Sequence, residues 1–568
     1  MTTPQRPSPA PSRLHPLAQQ ALDRLRQLDI WSIGALTIAL IVAAPMLFIG
    51  SNLFDAPSDS WDHLAETVLP RYVTNSVLLS IGVGLSTIAI GVSTAWLVSV
   101  CEFRQRRLWE ALLLFPLAAP AYILAYTYTE FLDFSGPVQR LLRTMFGWEF
   151  GDYWFPDVRS LGGAIALLAL TLYPYVYLLA RVAFREQSVC ALEASRVLGC
   201  SPWRSFWRVA VPLARPAIAA GTALVVMETL NDFGTVDYFG VDTFTTGIYR
   251  TWFAVGDRPA AIQLAAVLLV FVFVLLAIER FSRNQAAYFQ TNDTGAASVS
   301  RYQLSGGRAA GAIAACALPV FFGFVLPAGV LLEMAVDNAD QVFISDFWKF
   351  ARNSLLVAGV AALVATIVAT FLAYSVRLNP RWAIRLSARV ASLGYAVPGS
   401  AIAVGVMIPA GTLDNAIDSW MRSTFGISTG LLFSGTMAIL VFAYLVRFLA
   451  VSFNSVESSL GKVPPSLDEA SRSLGYAPAK TLAEIHVPLV WSGLLTGAMA
   501  VFVDVMKELP ATLALRPFNF DTLAVRVYNL ASDERLAEAS GLALALVAVG
   551  MVPALTLAWQ ISRSGRRV

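Results

Sequence analysis

Charge is scarce in this sequence. Only 14% of its 568 residues are Asp, Glu, Lys or Arg, while 57% are hydrophobic and the mean hydropathy is +0.62. A soluble globule of that size needs far more charge to cover its surface, so the composition points to a polytopic membrane protein. Histidine is nearly absent: His15, His63 and His486 lie far apart and are expected to be solvated or at the surface, which excludes a histidine-based metal cluster. Cys101, Cys190, Cys200 and Cys316 match no zinc spacing, and the topology below puts all four at or near the cytoplasmic side, where no disulfide framework is expected. A nucleotide-binding loop is missing too. The Gly-Lys pair Gly461-Lys462 has Val456 where the first glycine of G-x-x-x-x-G-K-[ST] would stand, and Val463 after the lysine. The chain is therefore expected not to be an enzyme, to hold no cofactor and to take no nucleic-acid partner; ATP would be bound elsewhere.

What the chain has in abundance is long apolar runs. They fall near 31–51, 73–101, 108–131, 160–184, 213–235, 260–280, 310–334, 351–376, 384–411, 428–453, 489–512 and 540–561. At about 20 residues per crossing these make about twelve spans of an all-α fold embedded in the lipid bilayer. The first thirty residues are polar and proline-rich, and the run after them is too long for a signal-peptide core, so an uncleaved first span is expected. Arginines follow the even spans: Arg104, Arg106 and Arg107; Arg181 and Arg185; Arg280 and Arg283; Arg377, Arg381 and Arg385; Arg563, Arg566 and Arg567. Loops after odd spans carry acids such as Asp55, Asp59, Asp62 and Glu66. By the positive-inside rule both termini are cytoplasmic.

The chain also repeats itself. Glu193, Ala194, Ser195, Arg196, Leu198, Gly199, Pro202, Pro212 and Leu213 recur as Glu469, Ala470, Ser471, Arg472, Leu474, Gly475, Pro478, Pro488 and Leu489, every pair 276 positions apart. Asn75-Ser76 returns as Asn353-Ser354, and Pro120 as Pro398, at a spacing of 278. The expected organisation is a cytoplasmic tail (1–30), a first half (31–281), a polar cytoplasmic linker (282–309), a second half (310–562) and a short tail (563–568). Six spans per half in one orientation make a parallel repeat about an axis along the membrane normal. Each copy of the repeated stretch reads as two short helices outside the membrane, stopped by Gly199 or Gly475 and restarted by Pro202 or Pro478. Pro120 and Pro398 read either as helix kinks or as a bending gate.

Glu-Ala-Ser followed by a glycine after three more residues resembles the EAA loop of permease subunits of binding-protein-dependent ABC importers. The strings METLNDFGTVDYF (Met227 to Phe239) and DVMKELPATLALRP (Asp504 to Pro517) look like those of the fused two-half permeases of ferric-iron uptake systems. The similarity runs over nearly the whole chain from about Asn75; one departure is Ser195 and Ser471 where the motif has alanine. The resemblance implies the type I ABC importer permease fold in a bacterial inner membrane and a periplasmic binding protein that delivers ferric iron. It also implies two copies of a cytoplasmic ATPase carrying ATP and Mg, coupled through Glu193, Ala194, Ser195 and Gly199 and through Glu469, Ala470, Ser471 and Gly475. Without the resemblance, Glu193 and Glu469 are simply exposed acids at helix starts.

Four acids stand out inside spans. Glu228 and Asp232 in the fifth are spaced i, i+4, as are their repeat equivalents Asp504 and Glu508 in the eleventh, so each pair is expected on one helix face. Intramembrane ionisable groups usually face the bundle interior, and carboxylates suit a hard cation, so the four are candidate pathway residues and transient metal contacts. Solvation at helix ends and structural hydrogen bonding remain open for them. Two other functions also stay open: import of thiamine, a polyamine or another small cation by the same class of machine, and gradient-driven transport in which the acids relay protons.

Overall fold

The computed structural model describes residues 29–54, 61–149, 151–186, 194–195, 197–284, 301–339 and 345–564. Ten described helices are long and apolar enough to cross a membrane, or twelve if each of two bent pairs is one span. The helices that organise the first half are α1 (Ile30–Ser51), α2 (Leu69–Val100), α3 (Ala121–Leu132), α4 (Leu161–Glu186), α5 (Val211–Asn231) and α6 (Arg258–Asn284). In the second half they are α7 (Gly306–Asp337, with a π turn at Phe321–Val325), α8 (Ser345–Leu378), α9 (Gly399–Phe425), α10 (Met437–Leu460), α11 (Trp491–Lys507) and α12 (Leu536–Ser564).

Each half is built on a three-helix core. In the first, α2, α4 and α5 pack on one another; in the second, α8, α10 and α11 do the same. Glycine sets the closest approach at equivalent places. A Cβ on Gly221 would meet the Val176 backbone at 2.9 Å, and one on Gly497 the Ser452 backbone at 3.2 Å, so α5 and α11 can lie against α4 and α10 only without side chains there. Asn75 donates to the Asp242 carbonyl at 2.9 Å and Asn353 to the Asp521 carbonyl at 3.0 Å. Ser76 and Ser354 accept from the amides of Phe244 and Leu523. The repeated Asn-Ser dipeptides thus staple the loop after α5 or α11 to the start of α2 or α8.

The first helix of each half packs on the other half. Trp31 of α1 stacks on Phe371 with ring centroids 4.9 Å apart, and Asn379 donates to Asp29, which caps α1, at 2.9 Å. In return, Tyr128 of α3 donates to the Phe322 carbonyl of α7, and Phe115 packs on Phe324. The last part of the expected linker docks as well: Tyr302–Gln303 pairs in parallel with Cys101–Glu102, while residues 285–300 lie outside the described part.

Two spans, at 108–131 and 384–411, are broken at a proline that the sequence reading leaves inside an apolar run. The apolar run 108–131 is broken, with Arg106–Ala118 and Ala121–Phe146 meeting at 90°. The run 384–411 is divided between a helix at Trp382–Ala391 and α9, while the second bent pair joins Pro478–Leu489 to α11 at 80°. Pro120 and Pro398 cause the breaks in the runs 108–131 and 384–411. Each sits with extended ψ (140° and 142°) as the residue before a new helix, because proline has no N–H to continue the previous one. These prolines are helix starts rather than kinks.

Candidate functional site

A cavity of about 270 Å³ lies between the halves, lined by residues of both, among them Tyr175, Glu228, Asn231, Tyr395, Asp504 and Lys507. Glu228 and Asp504, half-buried on α5 and α11, face this space and each other closely enough to interact electrostatically. Tyr175 and Tyr395 lie beside both carboxylates. Lys507 and Arg447 are the cations that act on the Asp504 carboxylate, and both line the same cavity. Asn231 is 4% exposed, and neither its amide nitrogen nor its amide oxygen has a partner.

Asp232 and Glu508 line the same cavity and have a second task. α5 ends at Asn231 because Asp232 turns extended (ψ 132°), and α11 ends at Lys507 because Glu508 does the same (ψ 126°). Each carboxylate then caps the short helix that follows. Asp232 accepts from the amides of Thr235 and Val236, both at 3.1 Å, and from the Thr235 hydroxyl. Glu508 accepts from the amides of Ala511 and Thr512, both at 2.9 Å, and from the Thr512 hydroxyl. A carboxylate is a strong acceptor for the unpaired N–H groups of a helix start, and the helix dipole favours its charge there. The expectation that each i, i+4 pair shares one helix face is thereby corrected, since a helix break falls inside both pairs. Among the described residues no group of three or more His, Cys, Asp or Glu side chains could hold a metal ion. All four acids line the cavity, and Asp232 and Glu508 serve as caps in addition.

The caps are not equivalent. Glu508 is 5% exposed and paired with Arg447 at 3.0 Å. By the register fixed at Gly221 and Gly497, Arg447 stands where the first half has Thr171. Beyond the caps the halves touch: Tyr528 donates to Asp237 at 2.7 Å, Phe233 packs on Tyr528, and Gly234 lies against Leu509. Burial raises the Asp237 carboxyl above its usual range, with the Tyr528 hydrogen bond and Arg250 opposing.

The repeated loops share a single construction. Glu193 and Arg196 lie outside the described residues. Ser195 and Ser471 are buried, and their hydroxyls meet those of Ser205 and Thr481 at 2.8 and 2.6 Å, tying the first short helix to the second. Gly199 and Gly475 take φ of +77° and +78°, a left-handed turn that a side chain would strain. The amides of Cys200 and Tyr476 close that turn on the carbonyls of Ser195 and Ser471. Ala194, Glu469 and Ala470 remain exposed, as do Val197, Leu198 and Leu474.

His486 overturns its expected surface position. It is fully buried, with Nε2 at 2.7 Å from Asp468, and Arg377 donates to the other oxygen of the same carboxylate at 2.7 and 2.9 Å. Arg377 also donates to the Leu460 and Val463 carbonyls, so the second loop is bolted to the end of α8. Burial works to raise the Asp468 carboxyl, but Arg377 and His486 outweigh it and hold it below the usual carboxylate range. The clue in the sequence was divergence from the repeat, because His486 aligns with Ala210 and Asp468 with Leu192.

Residues 38–284 match the family model described as "Binding-protein-dependent transport system inner membrane component". The chain is 25% identical over 499 residues to the Fe(3+)-transport system permease protein FbpB 2 of Haemophilus influenzae, covering 86% of this chain and 90% of that one. It is 23% identical over 542 residues to the ferric transport system permease protein FbpB of Actinobacillus pleuropneumoniae, covering 92% and 75%. The molybdenum transport system permease protein ModB of Escherichia coli is 27% identical over 225 residues, 37% of this chain and 95% of its own. One whole ModB thus corresponds to less than half of this chain.

Proposed function

We propose, from the match of residues 38–284 to the binding-protein-dependent transport system inner membrane component family and from the relatives that span most of the chain, that the whole chain is the ferric-iron pathway of an ATP-driven importer. The fold is the type I ABC importer permease fold, the chain is a multi-pass inner-membrane permease subunit, and both halves are fused in it. In this reading a binding protein delivers iron at the periplasmic end, where Asp237 and Tyr528 hold the halves together. Two copies of a cytoplasmic ATPase each grip one repeated loop, using Ala194, Val197 and Leu198 on the first and Glu469, Ala470 and Leu474 on the second. Glu193 is assigned the same role as Glu469 by the repeat alone. Gly199, Gly475 and the buried Ser195 and Ser471 transmit the push as a rigid unit. Both termini are cytoplasmic, and ATP hydrolysis belongs to the partner.

The observation that carries the cargo reading is the acid-lined cavity between the halves, with repeat-equivalent Glu228 and Asp504 facing one another and two tyrosines beside them. Oxygen ligands of this kind suit a hard, highly charged cation. Asp232 and Glu508 support the pathway walls as caps and are not assigned as iron contacts. The test is uptake of radioactive iron into proteoliposomes that contain the permease, its ATPase and the loaded binding protein. The double variant E228Q/D504N is expected to lose at least about tenfold in rate while remaining monodisperse in detergent. Undiminished uptake removes the site assignment; uptake of a labelled polyamine in place of iron redirects the cargo, and iron uptake without any ATPase points to an ion gradient.

A further inference from the structure

Lys507 sits where cargo would have to pass, and its surroundings are built to hold it there. It lies at the end of α11, at the position the repeat fills with Asn231 in the first half. Its Nζ crosses the cavity and donates to the Leu117 carbonyl of the first half at 3.0 Å. The room for its stem comes from Gly550 of α12, where a Cβ would lie 2.7 Å from both Cε and Nζ of Lys507. Its nearest acid is Asp504, which in turn faces Glu228. On the other wall the buried Asn231 amide has no partner. Without Lys507, Glu228 and Asp504 would share a low-dielectric space with Arg447 as the remaining cation that acts on Asp504, and Arg447 is engaged by Glu508.

We propose that Lys507 is a resident counter-cation of the pathway, occupying the place beside Asp504 that a cargo cation takes over as it passes. This rests on the reading of Glu228 and Asp504 as cargo contacts. An entering cation of higher charge competes with the Lys507 ammonium for Asp504. As the ammonium withdraws it also leaves the Leu117 carbonyl, so cargo entry loosens one tie between the halves. Lys507 is thus a positioning and charge-setting residue that disfavours occupancy of the cavity in the resting state.

The test is equilibrium binding of terbium(III) to the purified full chain in detergent, read by luminescence sensitised through Tyr175 and Tyr395. Terbium(III) is a hard, oxygen-seeking trivalent ion that stays soluble near neutral pH. Wild type should bind it weakly, E228Q and D504N more weakly still, and K507M at least about tenfold more tightly, because one repelling charge is gone. K507R should titrate as wild type. A merely structural lysine predicts that K507M binds no better than wild type, and that result overturns the proposal. If binding depends on Glu228 yet ignores K507M, only the role of Lys507 falls. If it depends on neither Glu228 nor Asp504, the cargo reading falls with it. Methionine keeps the length and packing of the lysine stem, and K507R guards against general loss of fold.

Discussion

The capping role of two of the four cavity acids is tested most sharply at Arg447 and Glu508. Replacing Arg447 by methionine keeps most of the side-chain volume but leaves the carboxylate of Glu508, which is 5% exposed, without its cation. Orphaning one member of a buried ion pair costs about 3–5 kcal/mol. Here the low end applies, because two amides and a hydroxyl still donate to Glu508. The expected loss for R447M is therefore about 3 kcal/mol. E508Q should cost a similar amount by stranding the guanidinium and turning an amide N–H toward helix donors. The double variant R447M/E508Q removes both charges and should cost only about 1–2 kcal/mol, close to the loss of a cap alone. Asp232 provides an internal control: it caps in the same way without a cation and is half-buried, so D232N should cost about 1 kcal/mol. Unfolding of each variant in graded denaturing detergent, followed by tryptophan fluorescence, gives the four values. Additive costs in the double variant, or an R447M indistinguishable from wild type, would refute the argument.

Two further outcomes follow from the loops. S471A should lower stability by about 1 kcal/mol and weaken stimulation of ATP hydrolysis by the loaded binding protein, since the two short helices lose the 2.6 Å hydroxyl contact that makes them one body; unchanged coupling would mean the loop does not act as a rigid unit. The Asp468 carboxyl is held low when folded, so its stabilising contribution is complete at neutral pH and is lost as pH falls through the folded value, below about 4. Heating curves taken from pH 7 down to pH 3.5 should show that loss, and D468N should start lower and flatten it.

Much of the architecture was legible because the chain says everything twice. An ungapped spacing of 276 exposes the loops and the paired acids, and hydropathy finds the spans. The places where helices stop were harder. An i, i+4 pair looks the same whether it lies on one helix or spans a break, and Met-Glu-Thr-Leu-Asn-Asp contains nothing that ends a helix by itself. The signal was downstream: Pro510, two residues after Glu508, is a helix-start residue, and Thr235 follows Asp232 at capping distance. Other features left no trace in the pattern. Exchange of α1 and α7 between halves depends on which surfaces meet in space, and apolar periodicity does not name a partner. His486 reads as a surface residue until Asp468 and Arg377 are brought to it by folding.

Several backbone supports are repeated in both halves, while the charges lining the cavity differ between them. Left-handed glycines, hydroxyl ties, Asn-Ser staples and carboxylate caps occur in both halves with nearly the same geometry. At the cavity the halves diverge at Asn231 against Lys507 and Thr171 against Arg447. With carboxylates ionised, the first wall carries Glu228 and Asp232 with no cation, whereas the second carries Asp504 and Glu508 offset by Lys507 and Arg447. The two walls therefore differ by two positive charges although their helices superpose by repeat. A strictly symmetric pair of walls would trap a cation on the axis between equal attractions. Under the proposed function, an asymmetric pair would draw it toward Glu228, away from the lysine, and give it a weaker hold on the opposite side, so that separating the halves could release it.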